Sequence, residues 1–242
     1  MNEDLSREEI HSAVDRAVEE LLSDAAIQAP PVDALILARR LGIPAEPRPK
    51  GPRAGAKKDW PAPHDPTPEA KQWFAAQAIG AYLKPSLLQR LGIPPEQKRL
   101  LMGESLATLV ASHLLLPAAW FGDDARALEY DVLELKKRYA TVAVDVIAWR
   151  LLDLPAPCVI TIVDNDHVQR RRSNAWRVRH ELEEPERECQ RYVNHFSRPR
   201  VVCADGWTVQ GWPVHQADWK REILRSLVDE EVMNRMGRQG PD

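Results

Sequence analysis

Seven histidines and a scatter of acids are the side chains of this 242-residue chain that could hold a metal or move a proton. Imidazole binds a divalent ion in its neutral form and exchanges protons near neutral pH. Useful spacing is scarce. His113 lies nine residues beyond Glu104, half a turn out of phase on a helix, so the two side chains leave opposite faces. His180-Glu181 opens like the zinc-binding pattern H-E-x-x-H, but Glu184 stands where the second histidine belongs and its neighbours are charged. These histidines, with His11, His167, His195 and His215, are expected to be surface or half-buried side chains and not ligands. His64, in a proline-rich segment, is the one that spacing does not dismiss. Arg170-Arg171-Arg172 could meet phosphate, although a solvated turn is the plainer expectation. Trp207, Trp212 and Trp219 are expected to pack between elements near the end of the chain. The sequence contains no P-loop, GxGxxG or nucleophile elbow.

The elements that must position such residues are readable from periodicity and punctuation. Ser6 and Glu9 form a capping-box pattern ahead of Ile10, Val14, Val18, Leu21 and Leu22, which predicts an amphipathic first helix. A second helix is expected from about Val32 to Leu41, between Pro31 and Gly42. The segment from Pro44 to Pro68 carries prolines and Arg48, Lys50, Arg53, Lys57 and Lys58, and is expected to be an extended loop with its cations solvated. Thr67-Pro68-Glu69 starts a helix carrying Trp73, Phe74, Ile79 and Leu83. The longest helix is expected at roughly Pro95 to Leu115, stopped by Pro117. Asp131 should cap a helix through Tyr139, and Thr141 another through Leu152. Past Leu154-Pro155-Ala156-Pro157, the best boundary in the sequence, the pattern changes. Val159 to Val163 reads as a strand ending in a turn at Asp164-Asn165, and Val201 to Val214 as a strand or hairpin around Asp205-Gly206. Helices are expected at about Pro185 to Phe196 and at Asp218 to Arg235, the latter with Trp219, Ile223, Leu227 and Val228 on one side.

Composition narrows the class. With 44% hydrophobic residues the chain belongs with globular proteins. A formal net charge of −3 gives no global attraction to nucleic acid or to an anionic membrane. The start, MNEDLSREE, has no apolar stretch of the signal-peptide kind, and no run approaches the roughly 18 apolar residues of a membrane span. Three cysteines without a CxxC pair read as reduced thiols. A cytoplasmic protein is the expectation.

The stretch Glu104-Ser105-Leu106-Ala107-Thr108-Leu109-Val110-Ala111, running on through His113 and Leu116 to Pro117, resembles the E-x-x-A-N-x-F-A-x-x-L-L-M-P segment of the ImmA/IrrE metallopeptidase family. Pro31 to Pro44 is similar to that family's N-terminal helix, and Leu133 to Leu154 to the helical pair after its peptidase core. The resemblance covers roughly residues 30 to 152. It implies a zinc peptidase frame, in which an HExxH helix supplies two histidine ligands and a glutamate base and the Glu of E-x-x-A supplies the third ligand. The family's R-F-T-x-A-H-E-L-G-H-x-L falls here on Gln72 to Leu83. Gln77 then stands for the first histidine, Ala78 for the base and Ala81 for the second histidine, so Glu104 alone is kept.

Loss of a partner merely bonded to a ligand costs about 10- to 100-fold in metal affinity, and two imidazole ligands are replaced here. Loss of the base costs a further factor of about 10² to 10⁴ in rate. The expectation is therefore an α+β protein with a mainly helical zincin-like domain over residues 1–153, including the loop 44–68 and the helical pair 131–152. A small C-terminal α/β module over 154–242 follows. It is expected to be a catalytically inactive, protein-binding or regulatory factor without a cofactor. The family resemblance implies a helix-turn-helix transcriptional regulator as partner, and neither membrane nor nucleic acid is expected. Two accounts of Glu104 stay open: a hydrogen bond from the Gln77 amide, or a helix residue left in a solvated gap. The rival reading is a zinc endopeptidase of the same family with a rebuilt site on Glu104 and His64. A DNA-linked regulator is a third, for which Val142 to Leu152 offers only Arg150.

Overall fold

The computed structural model describes residues 6–44, 66–93, 106–216 and 218–237. Among them, nine α-helices and one five-stranded antiparallel sheet make an α+β fold, with helices first and the sheet in the C-terminal part. The chain divides into two compact units. One is Met1–Ala127 with Lys136–Ala143, the other Leu128–Leu135 with Val144–Asp242.

The first unit is helical. Helix α1 (Arg7–Asp24) opens with the expected capping box: Glu9 N donates to Ser6 Oγ at 3.1 Å and Ser6 N to Glu9 Oε2 at 2.7 Å. Its buried side chains, Val14, Ala17, Val18 and Leu22, recur at helical spacing. Helix α2 (Ala34–Arg40) is capped by Asp33, whose carboxylate accepts from Ile36 N at 3.0 Å. Helix α3 (Pro68–Arg90) has 23 residues, the most of any helix among the described residues, and passes through Pro85 without ending. Of the helix expected over Pro95 to Leu115, the described part is α4 (Leu106–Leu115). Pro117 ends it but also begins α5 (Ala118–Ala127), because the Pro117 carbonyl accepts from Phe121 N at 2.8 Å. No helix was expected there. Asp131 caps α6 (Val132–Arg138) as expected, accepting from Leu133 N and Glu134 N at 2.8 and 3.1 Å. Thr141 does not cap the next helix; its hydroxyl donates to the Val32 carbonyl at 2.9 Å and so fastens the start of α2. No single helix among the described residues is long and apolar enough to cross a membrane.

The second unit holds α7 (Val144–Arg150), a single 3-10 turn (Leu151–Asp153), β1 (Val159–Asp164), β2 (His167–Ser173), α8 (Glu184–Phe196), β3 (Arg200–Ala204), β4 (Trp207–Pro213), β5 (Arg221–Val228) and α9 (Glu230–Gly237). The strand order is β2-β1-β5-β4-β3. The two-residue turns of the β1–β2 and β3–β4 hairpins pass through positive φ, Asn165-Asp166 at 47° and 65° and Asp205-Gly206 at 52° and 77°. Such turns match the right-handed twist of the strands they join. Helix α8 packs on β3, β4 and β5 over a core of Cys189, Val193, Val202, Trp207, Val209 and Leu224.

Three expectations in this unit are corrected. Asp218 to Arg235 is not one helix but β5 followed by α9. As the central strand β5 buries both faces, so Glu222 to Ser226 are all buried and the period-2 alternation is masked. Arg170-Arg171-Arg172 is not a solvated turn but the middle of β2, where the Arg171 side chain is only 2% exposed against a fully buried Glu186. Trp219 is 46% exposed and stacks with Arg221, unlike Trp207 and Trp212, which are buried. Arg221 also grips Asp164 through two bonds of 2.6 and 2.8 Å, which hold that carboxyl below the usual aspartate range.

The thiols are all free, and they differ sharply in access. Burial raises the Cys158 thiol and pushes Cys189 up to about 12, whereas Cys203 is exposed on β3. A thiol is reactive only as thiolate and only when reached. Titration with a disulfide reagent at pH 8 should therefore give one fast equivalent from Cys203 in the native protein. All three should react once the chain is unfolded in urea.

Candidate functional site

The residues aligned with the HExxH motif lie in the middle of α3. Thr67 fixes where that helix starts, its hydroxyl accepting from Ala70 N at 3.2 Å, and Pro68 supplies a pre-set first turn. Glu69 is tied to Lys136 at 3.0 Å, which holds its carboxyl below the usual range. Gln72 is buried: its Oε1 accepts from Ala34 N and Leu35 N at 2.7 and 3.3 Å while Nε2 donates to Asp33 at 3.1 Å. One amide thus caps the N-terminus of α2 and locks α2 to α3. The pair also sets the rotation of α3 about its axis.

Gly80 sets the distance to α4. A Cβ at this position would sit 2.5 Å from the Ala107 carbonyl oxygen and 2.9 Å from its Cα. Only glycine lets the two backbones approach so closely. One turn earlier, Gln77 Nε2 donates to Thr108 Oγ1 at 3.2 Å. The described hydrogen bond of the Gln77 amide therefore goes to Thr108. Glu104 and His64 lie outside the described residues, and with them the expected Glu104–Gln77 bond and the proline-rich segment.

The outward side of α3 has a different chemistry. Phe74, Ala78, Ala81, Tyr82 and Pro85 fall within one stripe of the helix at spacings of three and four. Phe74 is 41% and Tyr82 60% exposed, Ala81 is exposed and Ala78 half-buried. Pro85 has no N–H to give the Ala81 carbonyl. A zinc ion would find a carboxamide already bonded to a hydroxyl, and two methyl groups, at the three positions of the motif. This donor set does not fit the metal: alanine offers no ligand atom and a neutral amide is a poor one.

His113, on α4, faces α1. It is 1% exposed, however, and not the surface or half-buried side chain expected. Its Nδ1 meets Asp15 Oδ1 on α1 at 2.5 Å, and His11 stands edge-on at 5.0 Å between ring centres. Asp15 is 98 positions away in sequence, so nothing local announced the pair. His167, His180 and His195 are exposed. His215 is half-buried between Ser197 and Glu222, contacts that no motif in the sequence indicated.

No family model matches the sequence, and no curated protein matches it. Among solved structures, a Mycobacterium tuberculosis transcriptional regulator is similar over 91% of this chain and 80% of its own, with 17% identity and a TM-score of 0.53. At that identity the likeness is one of fold.

Proposed function

We propose that this chain is a protein-binding factor of a regulatory system, built on an ImmA/IrrE-like frame that has lost its peptidase chemistry and whose former catalytic helix has become a docking face. The observation that carries the reading is the outward stripe of α3. The family resemblance places two ligands and a base on Gln77, Ala78 and Ala81; beside these positions the chain presents Phe74 and Tyr82, with two large aromatic rings in solvent. Aromatic residues of this kind are the usual anchors of protein interfaces. Gln77, the remaining polar side chain of the motif, is engaged with Thr108. The similar solved structure is a transcriptional regulator, which supports a regulatory setting. By family analogy the partner is a helix-turn-helix transcriptional regulator, bound and left intact.

The test uses the tagged full-length chain in its native host. Wild type should recover a transcriptional regulator at full length, as mass spectrometry of the eluted partner would read. Phe74→Asp and Tyr82→Asp should each weaken that complex by at least about 30-fold, the loss of one anchor of roughly 2 kcal/mol. Incubation of the purified pair with zinc should leave the partner uncut. Cleavage of the partner, or recovery unchanged by both substitutions, would overturn the proposal.

A further inference from the structure

The second unit contains an arrangement that the docking reading does not use. Ser197, an exposed residue, ends α8 in the left-handed conformation, φ 51° and ψ 39°. Its Oγ lies 3.0 Å from His215 Nδ1. His215 Nε2 lies 2.8 Å from Oε1 of Glu222, whose side chain is fully buried on β5. We propose that Ser197, His215 and Glu222 form a nucleophile–base–carboxylate triad that hydrolyses small, accessible carboxylic esters.

The surroundings fix each role. Glu222 also accepts from Asn194 Nδ2 at 3.1 Å and from Gln190 Nε2 at 3.4 Å, both on α8. Asn194 cannot turn its amide round, because its Oδ1 accepts from Lys220 Nζ at 3.2 Å. Two amide N–H groups thus point at the carboxylate, which accepts from both. His215 then carries its proton on Nε2, toward Glu222, which leaves the Nδ1 lone pair for the Ser197 hydroxyl. This is the base–nucleophile bond that acyl transfer needs, with the ring nitrogens exchanged relative to the commoner serine triad. A non-glycine residue at positive φ is uncommon and recurs where a side chain has to be presented. The end of α8 sets the nucleophile in solvent beside a base that is tied to β5 through Glu222.

The reaction needs only the ester and water. Ser197 Oγ bonds to the ester carbonyl carbon as its proton passes to His215 Nδ1. The ester C–O bond breaks and the alcohol leaves with that proton. Water then attacks the acyl-serine, gives one proton to His215, and releases the acid as Ser197 recovers its own. A shallow pocket lined by Val214, Gln216, Trp219 and Arg221 opens on the residues either side of His215. Its exposed indole suits a small aryl group.

The proposal rests on the second unit alone and stands apart from the reading of α3. The probes are p-nitrophenyl acetate and an alkyl fluorophosphonate, applied to the full chain at pH 7.5. Wild type should hydrolyse the ester and take one phosphonyl label on Ser197. Ser197→Ala and His215→Phe should lower the ester rate by about 100-fold, the scale of general base catalysis, and lose the label. Glu222→Gln, which acts through the imidazole, should lower kcat and keep KM. Ser197→Gly guards against a folding artefact: glycine is at ease at positive φ and should keep or raise Tm while losing the label. A wild-type ester rate equal to that of Ser197→Ala, no label, or a label on another residue would each overturn the triad.

Discussion

Glu186→Ala should destabilise the sheet-bearing unit by about 3 to 5 kcal/mol, the cost of stranding a buried charge. Glu186 is fully buried and Arg171 is 2% exposed, with Oε1 and Nη1 2.7 Å apart. The same carboxylate oxygen accepts from Ser226 Oγ at 2.6 Å, and the other from Glu183 N at 2.8 Å, so one side chain joins β2, β5 and the first turn of α8. Arg171 is already short of partners, since its Nε has none and its remaining bond goes to Thr161 Oγ1 at 2.9 Å. Without Glu186 the guanidinium would be buried on one hydroxyl. The opposite truncation should be milder, because in Arg171→Met the carboxylate keeps Ser226 and the Glu183 amide. The double variant Arg171→Met/Glu186→Leu, which removes both charges and keeps the volume, should be the most stable of the three. Amide hydrogen exchange of β1 and β5 reads the unit directly. A fall of under about 1 kcal/mol in Glu186→Ala would show that the pair does not bear on the fold.

That ion pair also marks where sequence reading stopped. Three consecutive arginines look solvated, and the partner that buries the middle one comes from a helix 15 positions on, with Ser226 further still. Features closed within a few residues were legible: the Ser6–Glu9 box, the Asp131 cap, and the Asp205-Gly206 turn. Strand β5 was not. Glu222 and Arg225 give it a helical-looking polar side, and partners such as His215, Asn194, Gln190 and Gln210, brought from other elements, make those positions tolerable in a core. Tertiary partners outweighed local preference there. The candidate site divides the same way. Alignment alone located Gln77, Ala78, Gly80 and Ala81, whereas the bond to Thr108 and the outward turn of Phe74 and Tyr82 depend on how α3 is rotated by Gln72. The burial of His113 was not legible, since Asp15 comes from the other end of the unit's sequence.

Gly80→Val should open the α3–α4 contact and destabilise the helical unit by about 3 kcal/mol or more, the upper range for forcing volume into a packed core. The neighbour in the way is backbone: the Ala107 oxygen at 2.5 Å and Cα at 2.9 Å from the added Cβ. No rotamer change relieves that, so one helix must move. For the same reason Ala107→Gly should not rescue it, in contrast to a clash between side chains. Gly80→Ala brings the same first atom but regains about 1 kcal/mol of helix propensity, and should cost correspondingly less. The displacement also reaches the proposed docking face. Thr108 follows Ala107 directly, so its 3.2 Å bond from Gln77 should break when α4 shifts, freeing the amide and letting α3 rotate. Urea unfolding gives the energetic ordering, valine below alanine below wild type. Partner recovery from the host should fall with Gly80→Val even at temperatures where the chain stays folded, because the stripe of Phe74 and Tyr82 keeps its aim only while Gln72 and Gly80 together hold α3 in place. Equal unfolding midpoints for wild type and Gly80→Val would mean that the close crossing contributes nothing to the frame.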